Sequence, residues 1–564
     1  MSLARLIPAD VDQRTRARWL VIHLLSLVAV APVLIWVNRD QWVSGDEWEV
    51  ITTRGLGSNP QRLSIFAPHY EHWSTLGMLA YRALYSVFAL RTYVPYTLVL
   101  VVVVLAVAHL LWRLLLRVGV HPAYATAVAA IFGLLAIGWE NRSTPWQITI
   151  IGPVALGFGA LLLMPERGPF GRRDIGIWAL LVVGLMCSGV GVTMTIVVGI
   201  AAFLRRGWRV AAATMSVPAI AYSIWFVTEG ADGSRNTVPV STALRELPGF
   251  VWHGLTGALS GLTRIPGSGL VVLALLVAWL VWRARPRAEP WPLVLATTLG
   301  AVASLSLTAL RRAGADAAVS RYADIVVVLL LPALALATQD VARLAMRRFD
   351  RMVVVVVGTV LVGALLVAQV VGLNHYVETE PFLGEMRPRV LATALLLRHH
   401  EPVITDNIYG IFYLPDPSMT TIARLDRNGE LPSLDVTRAD ILTIREYVQV
   451  AVNGQALFDE GVARVVGSQQ ARTAATGVPG CAQVVPEGTS PSVTVDLPSA
   501  TSFRVTPGSD GELSLQLEAG HARGRPRILT ATRGQEILLN VARGGLRARV
   551  GVPSRGVTTL CGLV

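Results

Sequence analysis

The feature that most constrains this chain is a succession of apolar runs, each long enough to cross the hydrocarbon core of a bilayer as a helix. Nine lie at residues 19–37, 93–112, 122–139, 147–164, 209–227, 269–283, 290–310, 322–339 and 352–373. A tenth, residues 175–204, is too long for one upright helix and carries Cys187-Ser188-Gly189-Val190-Gly191, a plausible turn, at its middle. Charge decides between one tilted span and a hairpin. With a hairpin, the N-terminal tail and the clusters Arg113/Arg117, Arg167/Arg172/Arg173, Arg205/Arg206/Arg209, Arg283/Arg285/Arg287 and Arg343/Arg347/Arg348/Arg351 fall on one side, as the positive-inside rule requires. The sequence therefore predicts eleven spans, a cytoplasmic N-terminus and an extracytoplasmic C-terminal region. The polar, arginine-bearing start has no small-residue cleavage site behind it, which predicts an uncleaved first helix.

Composition excludes two other classes. With 53% apolar and 15% charged residues the chain is a multi-pass inner-membrane protein rather than a soluble one. Its net charge of +12 suggests nucleic acid, but residues 374–564 hold 18 Arg against 19 Asp and Glu, so the excess belongs to the cytoplasmic loops. Nucleic acid is not an expected partner; membrane lipid is. All basic residues are arginine, as in high-GC genomes. Cys187 lies in an apolar run, whereas Cys481 and Cys561 share the terminal region and could form one bridge in an oxidising compartment.

Three regions follow. Residues 1–373 form a transmembrane domain with a first external loop at 38–92. Residues 374–484 read as an α/β region, with helices at Met386–His400 and Thr437–Val452 and strands at PVIT and IYGIFYL. Residues 485–564 alternate in short runs (VTVDL, SFRVT, LSLQLE, RILTA, EILLNV, RARVGV) and predict a β-sandwich.

Ionisable groups concentrate in the first external loop, beside the interfacial Trp42, Trp48 and Trp73. Asp46 and Glu47 are either a solvated pair or carboxylates facing a cavity, where one can take a proton from an attacking hydroxyl. His69, Glu71 and His72 could supply metal ligands with Asp46, but the set is incomplete, and phosphate or hydroxyl positioning and a plain interfacial cluster both rank ahead of that reading. Ser74–Leu90 reads as a helix lying in the interface, and Thr242–Leu262 as an amphipathic helix in a later external loop. Arg311, Arg312 and Arg321 are external arginines suited to bidentate contact with a phosphate, or to pairing with Asp316, Asp324 or lipid headgroups. Glu140 and Arg142, in a short external turn, pair with each other or form a second-loop site. No P-loop, dinucleotide fingerprint or nucleophile elbow is present, and no metal or cofactor is expected.

The order of these features resembles a known family. A first span, the acidic pair Asp46-Glu47, a His-led stretch from His69 to Leu76, an interfacial helix ending in Phe88-Ala89-Leu90, and Tyr93-Val94-Pro95-Tyr96 at the second span resemble the GT-C membrane glycosyltransferases. The branch is that of the protein mannosyltransferases, aminoarabinose transferases and lipopolysaccharide galacturonosyltransferases. The likeness runs through Gly138–Trp146 to Ser320-Arg321-Tyr322 and covers about the first 340 residues. Where the family has His-Pro-Pro, this chain has His69-Tyr70-Glu71-His72; its EHWS variant is similar to a group of actinobacterial membrane proteins.

The resemblance implies a polyprenyl-phosphate sugar donor and an extracytoplasmic acceptor: cell-wall glycan, glycolipid or protein. It implies Asp46 as base with Glu47 in support; the residue chemistry adds His69, Glu71, His72, Arg311, Arg312, Arg321 and Tyr322 as candidate contacts to the donor phosphate or substrate. The rival expectation is a catalytically silent member of the fold that binds or moves lipid-linked saccharide or scaffolds envelope enzymes. A transporter ranks third, because the spans carry almost no ionisable residue.

Overall fold

The computed structural model describes residues 13–54, 56, 64–233, 238–286, 288–312, 314–379, 381–403, 417–452 and 455–564. The chain divides into two compact units, each described by itself. One comprises Met1–Gln41, Thr53–Val87 and Tyr93–Leu383; the other comprises Trp42–Thr52, Phe88–Thr92 and Gly384–Val564.

Helices run in chain order as α1 (Gln13–Val37), α2 (Asp46–Thr53), α3 (Thr75–Phe88), α4 (Val94–Arg117), α5 (Pro122–Gly133), α6 (Glu140–Ser143), α7 (Ile148–Leu163), α8 (Arg172–Leu185) and α9 (Val190–Arg206). They continue as α10 (Trp208–Thr228), α11 (Val240–Thr263), α12 (Ser268–Arg283), α13 (Trp291–Arg312), α14 (Ser320–Ala345), α15 (Arg351–Thr379), α16 (Pro381–Arg398), α17 (Met419–Arg427) and α18 (Arg438–Val448).

Every expected span coincides with a helix. Among the described residues, seven helical segments are long and apolar enough to cross a membrane, and the pair α11 and α12, bent by 105° at its break, makes up to eight. The other expected spans, α5, α8 and α9, are shorter than the roughly 20 residues an upright crossing asks for. The run at 175–204 is indeed two helices. Its turn depends on glycine: a Cβ on Gly191 would strike the Gly184 carbonyl. The bend after α11 uses Arg264 and Gly267, at φ 61° and 76°.

The core of the helical unit lies where α13 and α14 pack against α9 and α11. Two thirds of the apolar stretch of α14 is enclosed, against 6% for α15, whose valines are left to face lipid. The helix expected at Ser74–Leu90 is α3, which buries Met78, Tyr81 and Tyr85 and exposes Leu79 and Val87.

In the second unit, α16 and α18 stand where helices were expected, though α18 stops at Val448 and the chain turns directly into a strand. PVIT and IYGIFYL fall mostly outside the described residues. The strands are β1 (Val450–Val452), β2 (Arg464–Gln469), β3 (Ala471–Ala475), β4 (Cys481–Pro486), β5 (Ser492–Leu497), β6 (Thr501–Thr506), β7 (Gly511–Ala519), β8 (Ala522–Arg523), β9 (Arg527–Ala531), β10 (Ile537–Val541), β11 (Leu546–Gly551) and β12 (Thr558–Cys561).

They form two antiparallel sheets, β1-β10-β6-β12-β4-β3 and β2-β5-β11-β7-β8, with β9 also on β7. Inward residues such as Val493, Val495, Phe503, Leu515, Leu539 and Val550 make the core between them. The expected sandwich boundary at residue 485 is thus corrected: it cuts through β4, and both sheets recruit strands from 450–486. Cys481 and Cys561 are bridged, directly opposite each other on β4 and β12.

Candidate functional site: an amphiphilic cleft in the helical unit

The site starts from a four-residue turn. His69 and His72 exchange both backbone hydrogen bonds at 3.0 Å, with Tyr70 at φ 52°, which sets Glu71 at the tip. The loop leading in is gathered by Arg54, 2% exposed, which donates to the carbonyls of Ser64, Ala67 and Pro68. His69 itself turns away from solvent, 2% exposed, with its ring 5.1 Å from Trp146.

Glu71 and His72 meet the end of α13 and the start of α14. Arg312 Nη2 donates to Glu71 Oε1 at 2.8 Å, and His72 Nε2 lies 3.7 Å from the same oxygen. Arg312 and Arg321 both approach the Tyr322 ring, at 5.9 and 5.6 Å from its centroid. Burial pushes the Glu71 carboxyl up, but neighbouring His72 and the bonded Arg312 outweigh it and hold the group below the ordinary carboxylate range. Burial pushes the His72 imidazole down; Glu71 opposes this, and Arg312 and Arg321 add to it. The net effect holds the imidazole below its ordinary value.

These groups close one end of a cleft of about 340 Å³ between α7, α9, α10, α13 and α14. Its polar end holds Glu71, His72, Arg311, Arg312, Tyr222 and Tyr322, and its walls are mainly apolar, with Ile150, Val190, Val192, Leu307 and Ile325 interrupted by Thr193, Ser304 and Thr308. Gly189, at the α8–α9 turn, makes room for the histidine: a Cβ there would lie 3.2 Å from His72 Nδ1. A cationic end on an apolar trench suits an anionic head on a hydrocarbon tail.

The second-loop pair sits otherwise than a mutual pairing. Arg142, 1% exposed, pairs with Asp324 at 2.8 Å and donates to the carbonyls of Phe132, Gly133 and Gly138. Glu140 instead accepts from the Arg321 backbone at 3.2 Å and lies 3.8 Å from its Nε. The Gly138–Trp146 and Ser320-Arg321-Tyr322 stretches are therefore one interlocked element. Arg142 is enclosed within it, while Glu140 and Arg321 stay half-buried.

Asp46 and Glu47 belong to the other unit, at the start of α2. Glu47 is fully buried and its Oε2 accepts from Ser44 N at 2.9 Å, closing the turn before the helix. Asp46 stays half-buried. The sequence reading missed Arg54 and Tyr222, placed Gly189 only in a turn, and offered Asp324 only as a partner for Arg311, Arg312 or Arg321. Of the two it missed, only Arg54 carried a signal, as one more arginine in an external loop.

No family model matches the chain, and no curated protein matches it. It is similar to two solved structures of ArnT from Cupriavidus metallidurans. To the apo state it is 13% identical with a TM-score of 0.45, over 78% of this chain and 92% of that one. To the structure bound to undecaprenyl phosphate it is 15% identical with a TM-score of 0.43, over 76% and 92%.

Proposed function

We propose that this chain is a GT-C-like membrane glycosyltransferase that moves a sugar from a polyprenyl-phosphate donor to an extracytoplasmic acceptor, with inversion at the anomeric carbon. The observation that carries the reading is the amphiphilic cleft: arginines and tyrosines at one end, mainly apolar walls along the rest. The acceptor hydroxyl attacks the anomeric carbon, its proton passes to Asp46, and the bond to the polyprenyl phosphate breaks. Glu47 supports Asp46 by fixing the turn that presents it. Arg311 and Arg312 neutralise the departing phosphate, with Arg321 supporting them, and His72 donates a hydrogen bond to it. The bridged cysteines support an oxidising, extracytoplasmic setting for the sandwich.

One observation favours the silent carrier or scaffold instead. Arg312 already holds Glu71, so an arriving phosphate meets a locally neutral pair. The test is titration of the full-length protein in nanodiscs with undecaprenyl phosphate, followed by turnover with polyprenyl-phosphate sugars. Binding that is lost in Arg311→Ala/Arg312→Ala, together with wild-type turnover, supports the enzyme. Binding without turnover across a full donor panel supports the carrier, and no binding removes the donor class.

A further inference from the structure

The sandwich carries a second cavity, and its chemistry is the opposite of the cleft's. A trough of about 980 Å³ crosses the outer face of the β2-β5-β11-β7 sheet, at the upper end of the size range for ligand sites. Strand register sets Gln469, Ser492, Gly551, Ser514 and Ile528 side by side on five successive strands. Three small residues in the middle of that row make the floor. A Cβ on Gly551 would run into Ser514 Oγ and turn that hydroxyl aside, so the glycine keeps the floor open beside Ser514. The walls rise from the Thr489–Pro491, Ser509–Glu512 and Pro553–Arg555 loops.

The polar groups on the floor are fixed before any ligand arrives. Arg549 donates to Gln469 Oε1 at 3.0 Å and lies 3.2 Å from Glu518 Oε1; the Gln516 amide donates to the Gly524 carbonyl at 2.7 Å. The Ser492 and Ser514 hydroxyls have no hydrogen-bond partner among the described residues.

We infer that this trough binds a hydroxyl-rich glycan chain, held by hydrogen bonds from the amides of Gln469 and Gln516, the Arg549 guanidinium and the two serines. The alternatives fit less well. An extended peptide would need a free strand edge or apolar anchor pockets, whereas the floor is β5, β11 and β7, whose ladders are paired on both sides, and no aromatic residue lines it among the described residues. Nucleic acid would need net positive charge, whereas Asp510 and Glu512 balance Arg549 and Arg555. Taken with the proposed transferase reading, on which this part rests, the glycan is the acceptor polymer.

The test is titration of the full-length protein in nanodiscs with soluble oligomannoside, oligogalactoside, oligoarabinoside and oligoglucoside. Two variants probe the trough. Gln469→Ala/Arg549→Ala removes floor donors and leaves Glu518 paired with Arg523; Ile528→Trp fills the trough from its exposed rim. Exposed Arg472→Ala, on the other sheet, is the control.

The inference expects one oligosaccharide to bind wild type and the control equally, and both trough variants at least about tenfold more weakly. Equal binding by all four proteins, binding of an extended peptide in place of the saccharides, or no saccharide binding by wild type would overturn it. The readout needs no donor and no turnover. Saccharide binding in a protein without transfer activity would sink the transferase reading and keep the trough; transfer to a lipid acceptor without saccharide binding would do the reverse.

Discussion

Arg142 and Asp324, each about 1% exposed and 2.8 Å apart, join two stretches of chain some 180 residues apart into one buried ion pair beside the cleft. Asn141 donates to the second Asp324 oxygen at 2.9 Å, so the carboxylate is held from two sides. Breaking such a pair by removing one partner costs about 3–5 kcal/mol. Asp324→Ala should therefore lower the melting temperature of the purified protein markedly, and Asp324→Asn, which keeps an acceptor for Arg142, should lower it less. Equal melting of both variants and wild type would contradict the structural role given to Arg142.

Glu71 competes with a phosphate for Arg312. Glu71→Gln should raise undecaprenyl phosphate affinity, by about tenfold if one charge-assisted contact is released. The sign with pH follows. The folded Glu71 carboxyl titrates below the ordinary carboxylate range, so wild-type affinity should hold steady at neutral pH and rise only in acid, as protonation frees Arg312. The Gln variant should lose that acid rise. Titrations at a series of pH values check both statements.

Gly189 tests the histidine. Its φ is −57°, so a side chain costs no backbone strain there, yet a Cβ would press on His72 at 3.2 Å. Gly189→Val should weaken donor binding several-fold while the helical content measured by circular dichroism stays unchanged. Unaltered affinity would remove His72 from the donor contacts.

Glu446 is buried on α18, with Oε1 accepting from Leu517 N at 2.6 Å, and burial pushes its carboxyl up to about 9. The folded protein then keeps a proton that the unfolded chain, with an ordinary value of 4.5, gives up. Stability of the sandwich should accordingly fall as pH rises between those values, by about 1.4 kcal/mol per unit at most. Glu446→Gln should remove this slope and protect β7 amides from hydrogen exchange increasingly from pH 5 to about 9. A wild-type protein whose β7 exchange free energy is flat over that range would contradict it.

The Cys481–Cys561 bridge closes a loop of about 80 residues. Cys481→Ser/Cys561→Ser should cost the sandwich about 4.5 kcal/mol by the chain-entropy relation, read from the fall in denaturant midpoint for the β-sheet signal.

What the sequence revealed, and what it hid, follows physical lines. The α8–α9 hairpin was legible because the arginine clusters permit only one side. β5, β6, β7, β9, β10 and β11 were legible as short apolar runs between turns, most clearly where inward residues alternate, as in Val493, Val495 and Leu497. β2 and β3 escaped because they expose nearly every residue and carry no alternation. Arg142 was read with the wrong partner because its carboxylate is remote in sequence and near in space. The spans are also less free of ionisable groups than they read: His23 is fully buried, stacked 4.4 Å from Trp112 and 5.4 Å from His109. That residues 42–52 belong with 384–564 is a long-range packing fact no local pattern announces.

The most direct test of the transferase reading is sugar transfer from radiolabelled polyprenyl-phosphate donors by purified protein in lipid, comparing wild type with Asp46→Asn. The account predicts wild-type turnover that falls by at least about a hundredfold in the variant while donor binding is retained. Turnover undiminished in Asp46→Asn would contradict the base assignment, and donor binding without turnover in either protein would contradict the transferase itself.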